Sequence, residues 1–146
     1  MLEGASRDGA PQAPTRYKGV MSQAAVVLCA HGSRAPGTAE AQGRLCEELE
    51  EALGLPVSPG FLEITQPDIP TAIDRAVAAG ARRVLLVSYF LHAGNHTTRD
   101  IPAIIEEVGR RHPAVEMVMT PPLGPDPRLV AICAERARSA LGVTAP

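Results

Sequence analysis

Residues 24–34 read AAVVLCAHGSR, and the fold turns on how that stretch divides. An unbroken apolar run from Ala24 to Ala30, with paired valines, suits a strand buried on both faces, as in a parallel sheet covered by helices. The run stops at His31, and the polar loop HGSRAPG follows. Beyond it Leu45, Leu49, Ala52 and Leu53 recur at helical spacing. Glu47, Glu48, Glu50 and Glu51 are left for water, and Gly54 and Pro56 provide a stop.

The same grammar repeats along the chain. VSPGFLEI (57–64) is a strand interrupted by Pro59 and Gly60, which places it at a sheet edge. PDIPTAIDRAVAAG (67–80) puts Ile69, Ile73 and Val77 on one helical stripe, with Gly80 to close it. RVLLVSYFL (83–91) is the strongest strand; after the loop HAGNHTTRDIP comes a helical stripe of Ile101, Ile104, Ile105 and Val108. VEMVM (115–119) gives a fourth strand. Asp126 and Pro127 then suit the N-cap and first turn of a last helix carrying Leu129, Cys133 and Leu141. Alternating strands and helices of this kind predict an α/β fold, a flavodoxin-like three-layer αβα sandwich on a four-stranded parallel sheet of order 2-1-3-4. In that order the first and third strands are neighbours, and a crevice opens at their carboxyl ends.

The length of 146 residues fits one domain, expected over 23–143. Residues 1–22, rich in Gly, Pro and Ala, read as a disordered leader, with Met21 as an alternative start. Lys and Arg total 14 against 16 Asp and Glu, so no basic field gathers nucleic acid, and the few aromatics offer no base-stacking platform. No apolar run approaches the roughly 20 residues of a membrane helix. Cys29, Cys46 and Cys133 are widely spaced, which fits neither a disulfide framework nor a zinc ribbon and suits a reducing, cytoplasmic setting. The patterns GxxxxGK[ST], GxGxxG and GxSxG are absent, so nucleotide hydrolysis, dinucleotide chemistry and a serine nucleophile have no support and no organic cofactor is expected.

Chemistry concentrates at the predicted crevice. His31 follows the first strand, and His92 and His96 lie in the loop after the third. His31 and His96 read as metal ligands or a base, kept neutral by the helix starts downstream of each, against the plainer alternative of loop histidines that only cap or hydrogen-bond the backbone. Glu63, ending the second strand, is open between a solvated carboxylate and a third, oxygen ligand. His92 is open between ligand, proton shuttle and surface residue. Ser33, Arg34 and Arg99 place donors beside the same crevice, suited to a carboxylate-bearing or phosphorylated ligand. Asp100 is accounted for by charge at a helix start, and His112 by charge at a helix end.

Together LCAHGSR, FLEITQPDI, YFLHAGNHTTRDIP and the LG-x-x-P-x-L turn from Leu123 to Leu129 resemble the small class II chelatases acting on sirohydrochlorin. The resemblance runs over Ala25 to Leu141. It implies insertion of a divalent metal, Co2+ or Fe2+, into the sirohydrochlorin macrocycle without ATP, in cobalamin or sirohaem biosynthesis; nitrogen and oxygen ligands of this kind accept Ni2+ as well. It also implies that His31 and His96 hold the metal with Glu63, which ligates it or accepts protons, while Arg34 and Arg99 engage substrate carboxylates. Ser88, where a proline is common, and His92, where a small or apolar residue is usual, depart from the pattern. A single domain offers one wall of a cleft to a flat macrocycle, so a symmetric homodimer is expected to supply the second. Two other readings compete: a metal or tetrapyrrole carrier without turnover, and a histidine phosphatase. The second fails at Ala30, where an arginine would have to stand.

Overall fold

A computed structural model describes residues 23–143, so the leader expected over 1–22 lies outside the described residues. The strands are β1 (Ala24–Ala30), β2 (Val57–Phe61), β3 (Arg83–Ser88) and β4 (Glu116–Met119). The helices are α1 (Thr38–Leu53), α2 (Ile69–Ala78), α3 (Ile101–Arg111) and α4 (Pro127–Leu141). All strands pair in parallel in the order β2-β1-β3-β4, as the sequence predicts. β1, the most apolar, is buried along its whole length, and β2, broken by Pro59 and Gly60, takes the edge where a missing N–H is tolerated.

The principal core lies on one face of the sheet. Ala25, Val27 and Cys29 of β1 and Val84 and Leu86 of β3 meet Ile69, Ala72 and Ile73 of α2 and Ile101 and Val108 of α3. Both predicted helical stripes therefore face the sheet. Asp68 caps α2 by accepting from the Thr71 N–H at 2.8 Å. Between the middle of α2 and the end of α3, Asp74 accepts from His112 Nε2 (2.7 Å) and Arg111 Nη1 (2.9 Å). Partial burial works against the Asp74 carboxylate, yet these two hydrogen bonds outweigh it and lower its pKa. His112 is thus a tie between helices, beyond its charge at a helix end.

Two expectations need correction. In α1 the buried residues are Gln42 and Cys46, with Leu45 and Leu49 half-buried and Ala52 and Leu53 exposed. The helix sits over edge strand β2, so its last turn overhangs the sheet and the inward stripe falls earlier than apolar spacing alone suggests. In α4 none of the residues is buried; Leu141 and Cys133, the apolar residues the helix was expected to carry, are exposed. Among the described residues α4 makes no substantial contact with any strand or helix.

Candidate functional site

The pairing of β1 with β2 continues past the formal strand ends. Leu62 N–H donates to the Ala30 carbonyl and Glu63 N–H to the His31 carbonyl, each at 2.9 Å, so His31 and Glu63 leave the sheet side by side. Tyr89 N–H donates to the Cys29 carbonyl at 2.8 Å, which brings the exit of β3 alongside. Two loops are then locked together. The Thr65 hydroxyl accepts from Ser33 N–H (3.0 Å) and donates to the Ser33 carbonyl (3.1 Å). Thr65 N–H donates back to the Glu63 carbonyl at 2.6 Å across Ile64, whose φ of 66° is rare for a β-branched residue. Strain of this kind persists only where the surroundings over-determine it, and here it sits next to Glu63.

From the other side, His96–Asp100 forms a single π-turn that runs into α3, with Ile101 N–H donating to the His96 carbonyl. Turns of this type are frequent at functional sites because they re-aim side chains. The His31 and His96 rings stand 5.0 Å apart, centroid to centroid, tilted by 56°, and Phe90 flanks His96 at 6.3 Å. His31 Nε2 lies 3.7 Å from Glu63 Oε2. Each ring has its Nδ1 engaged: that of His31 faces the Gly32 carbonyl at 3.2 Å, and that of His96 faces Asp100 Oδ2 at 2.9 Å. With Nδ1–H donating, the Nε2 lone pair of each ring is left open, the tautomer a metal or proton needs. Among the described residues no three His, Cys, Asp or Glu side chains close into a ready coordination sphere, so the arrangement is an open half-site.

The remaining predicted residues fall as follows. Ser33 Oγ accepts from Ala35 N–H at 3.0 Å, so the hydroxyl shapes its own turn. Arg34 is exposed on the same loop. Arg99 is exposed, its Nε donating to Asp100 Oδ1 at 3.1 Å. His92 is exposed on the loop after β3, and Ser88 is fully buried with its N–H donating to Thr120 Oγ1 at 3.0 Å. Burial pushes the Cys29 thiol up to about 12 and the Cys46 thiol up to about 11, so neither offers a thiolate.

Two readings change. Asp100 is more than a charge at a helix start: hydrogen bonds from His96 and then Arg99 hold its carboxyl below the usual range, so it stays an ionised acceptor that aims the His96 ring. His31 sits on a loop well before α1 begins at Thr38, beyond the single turn over which a helix dipole acts. Thr65 was not legible as a site residue, although a threonine two residues after a strand-end Glu is a weak hint of a turn. Around the histidines Ile64, Tyr89, Leu91 and Leu123 are exposed on loops at the same edge, an apolar rim beside the polar side chains. A hollow of ≈ 500 Å³ lies at the opposite, amino-terminal end, lined by residues such as Gln23, Glu50, Leu55 and Arg75, and no histidine or cysteine borders it.

The model of the CbiX family matches residues 25–140. This chain belongs to the CbiX family. It is 35% identical to the sirohydrochlorin cobaltochelatase of Methanocaldococcus jannaschii, with 77% of this chain and 96% of that protein covered. It is 34% identical to the sirohydrochlorin ferrochelatase of Priestia megaterium, where 77% of this chain matches 42% of the longer protein. The solved structure of SirB from Bacillus subtilis with Fe3+ superposes with a TM-score of 0.76 at 28% identity, covering 84% of this chain and 48% of that one. The α/β topology read from the sequence is therefore shared with proteins of this family.

Proposed function

We propose that this protein inserts Co2+ or Fe2+ into sirohydrochlorin without nucleotide hydrolysis. The observation that carries the reading is the pair of rings, 5.0 Å apart with both Nδ1 atoms occupied, beside Glu63 at the sheet edge where ligands of such folds bind. Relatives named as cobaltochelatase and ferrochelatase support it. The incoming metal ion is a substrate. His31 and His96 hold it through Nε2, and Glu63 ligates it or takes up one of the two pyrrole protons that leave as the macrocycle nitrogens bind; whatever Glu63 does not accept passes to water. Imidazole and carboxylate suit Co2+, Fe2+ and Ni2+ alike. An open half-site suits a metal that must be handed on, because ligands exchange one at a time only where positions are free.

Arg34 and the free end of the Arg99 guanidinium engage macrocycle carboxylates, with Ser33 behind them, and the apolar rim meets the ring face. His92 stands near enough in sequence to serve as an accessory ligand or proton carrier. Residues 23–143 act as a single domain and require no organic cofactor. The longer relatives match this chain over about half their length, which supports a homodimer in which a second copy supplies the facing wall. The setting is the cytoplasm, with neither nucleic acid nor membrane as partner; among the described residues no helix is long and apolar enough to cross a membrane.

The test is anaerobic mixing of protein, sirohydrochlorin and Co2+ or Fe2+, with the macrocycle absorbance followed against the spontaneous rate. Acceleration is expected. Binding of metal or macrocycle with no acceleration for Co2+, Fe2+ or Ni2+ would replace the enzyme with a carrier. Asp100 has its own expected effect: Asp100→Ala weakens Co2+ binding roughly 10–100-fold, the usual cost of losing the partner that orients a ligating imidazole. Asp100→Asn, which can still accept from Nδ1–H, recovers part of it. Competition against a chelator measures both, and unchanged affinity in Asp100→Ala would remove Asp100 from the site.

A further inference from the structure

Ile64 stands where a different residue would cost less. Its φ of 66° lies in the left-handed region, and among the described residues every other positive φ belongs to a glycine. For a β-branched side chain that conformation is a genuine outlier. The turn is held from several sides. Phe61 N–H donates to the Pro67 carbonyl at 2.9 Å, so residues 62–67 close into a loop with Ile64 near its middle. Thr65 N–H donates to the Glu63 carbonyl across Ile64, and the Thr65 hydroxyl is clamped on Ser33. Gly32 approaches the Glu63 carbonyl so closely that a Cβ there would overlap it.

Nothing among the described residues offsets that conformation. Leu62, two residues earlier, packs against the principal core, whereas Ile64 belongs to neither core cluster and is 57% exposed. Glycine or asparagine would make the same turn with less strain, and neither would present a large apolar group to water. A single exposed isoleucine is ordinary on a protein surface. One held in a strained conformation by its surroundings points to a contact outside the chain.

The neighbours of Ile64 say what that contact is. Glu63, next in sequence, lies 3.7 Å from His31, and the exposed Tyr89, Leu91 and Leu123 share the same edge. Arg34 and Arg99 are exposed on loops of that edge as well. An apolar rim with cations beside it fits a flat ligand that has an apolar ring face and carboxylates at its margin. We infer that Ile64 is a substrate-contact residue whose strained turn holds its side chain against the ring face of sirohydrochlorin, so that stability given up at the turn becomes affinity for the macrocycle. This rests on the chelatase reading above and deepens it by naming the residue that seats the ring. An apolar contact of this kind is present before and during metal insertion, so its loss raises KM for sirohydrochlorin more than it lowers kcat.

The test compares the full chain with Ile64→Asn and Ile64→Gly, which accept a positive φ, and with Ile64→Leu, which keeps an apolar side chain. Anaerobic titration with metal-free sirohydrochlorin, followed by absorbance, reads macrocycle affinity. Competition for Co2+ against a chelator reads the metal site, and thermal unfolding reads the strain. Ile64→Asn is expected to melt no lower than the unaltered chain, to bind Co2+ equally well, and to bind sirohydrochlorin roughly 10-fold more weakly, the size of one isoleucine's apolar contact. Ile64→Gly shows the same loss of macrocycle affinity, and Ile64→Leu recovers most of it. Unchanged sirohydrochlorin affinity in the Asn and Gly variants would overturn the inference, as would a lower melting temperature in both. A loss of Co2+ affinity as large as that for the macrocycle would overturn it too, by making Ile64 a prop for Glu63. So would a change in sedimenting mass, which would mean that another copy of the chain covers the side chain. If the unaltered chain binds no sirohydrochlorin, the chelatase reading itself fails and takes this inference with it.

Discussion

His31→Ala and His96→Ala each lower the catalysed rate of metal insertion by more than about 100-fold, because removing a ligand, the role proposed for both rings, costs more than the 10–100-fold typical of removing its outer partner. Neither substitution removes buried packing. Both rings are partly exposed, and their hydrogen bonds among the described residues are those of Nδ1 with the Gly32 carbonyl and with Asp100. The loss should therefore appear in activity and in Co2+ affinity with little change in melting temperature. His112→Ala gives the opposite pattern: it cuts the tie to Asp74 between α2 and α3, lowers the melting temperature and leaves the rate intact. Initial rates and thermal unfolding on the same preparations separate the two outcomes. Equal effects of all three substitutions on rate would mean the site lies elsewhere. A phosphoesterase activity abolished by His31→Ala would revive the phosphatase reading.

What can be read from the chain is set by range. β1 and β3 are continuous apolar runs, and continuity is a local property, so both strands and their central place in the sheet are visible before folding. His31 and His96 are visible for the same reason: each directly follows or closely trails such a run. Asp100 stands four residues from His96, yet its pairing depends on a π-turn that spacing does not announce. The inward face of α1 is set by where the helix crosses β2, which buries Gln42 and leaves Leu53 outside. α4 looks like any amphipathic helix, and nothing in its pattern says that none of its residues is buried among the described elements. The clamp of Ser33 on Thr65 joins residues from two βα units, and neither loop predicts it alone.

That clamp makes Gly32→Ala the most damaging small substitution expected. Gly32 has φ +98°, in the region that favours glycine, and a Cβ there would overlap the Glu63 carbonyl and press on Thr65 Oγ1. The carbonyl cannot yield freely, since it accepts from Thr65 N–H across Ile64, itself already strained at φ 66°. Backbone strain at one such residue costs on the order of 1–3 kcal/mol, and steric overlap adds to it. We therefore expect a loss of about 3 kcal/mol, read as a fall in melting temperature of roughly 10 °C for a domain of this size. Gly43→Ala, in the middle of α1 where an added methyl would meet nothing within 4 Å, should instead stabilise by up to about 1 kcal/mol. Relief of the overlap requires the HGS and EIT loops to part, which separates His31 from Glu63. Gly32→Ala should thus lose insertion activity even at temperatures where it remains folded. Full activity together with an unchanged melting temperature would show that the two loops are not locked as described.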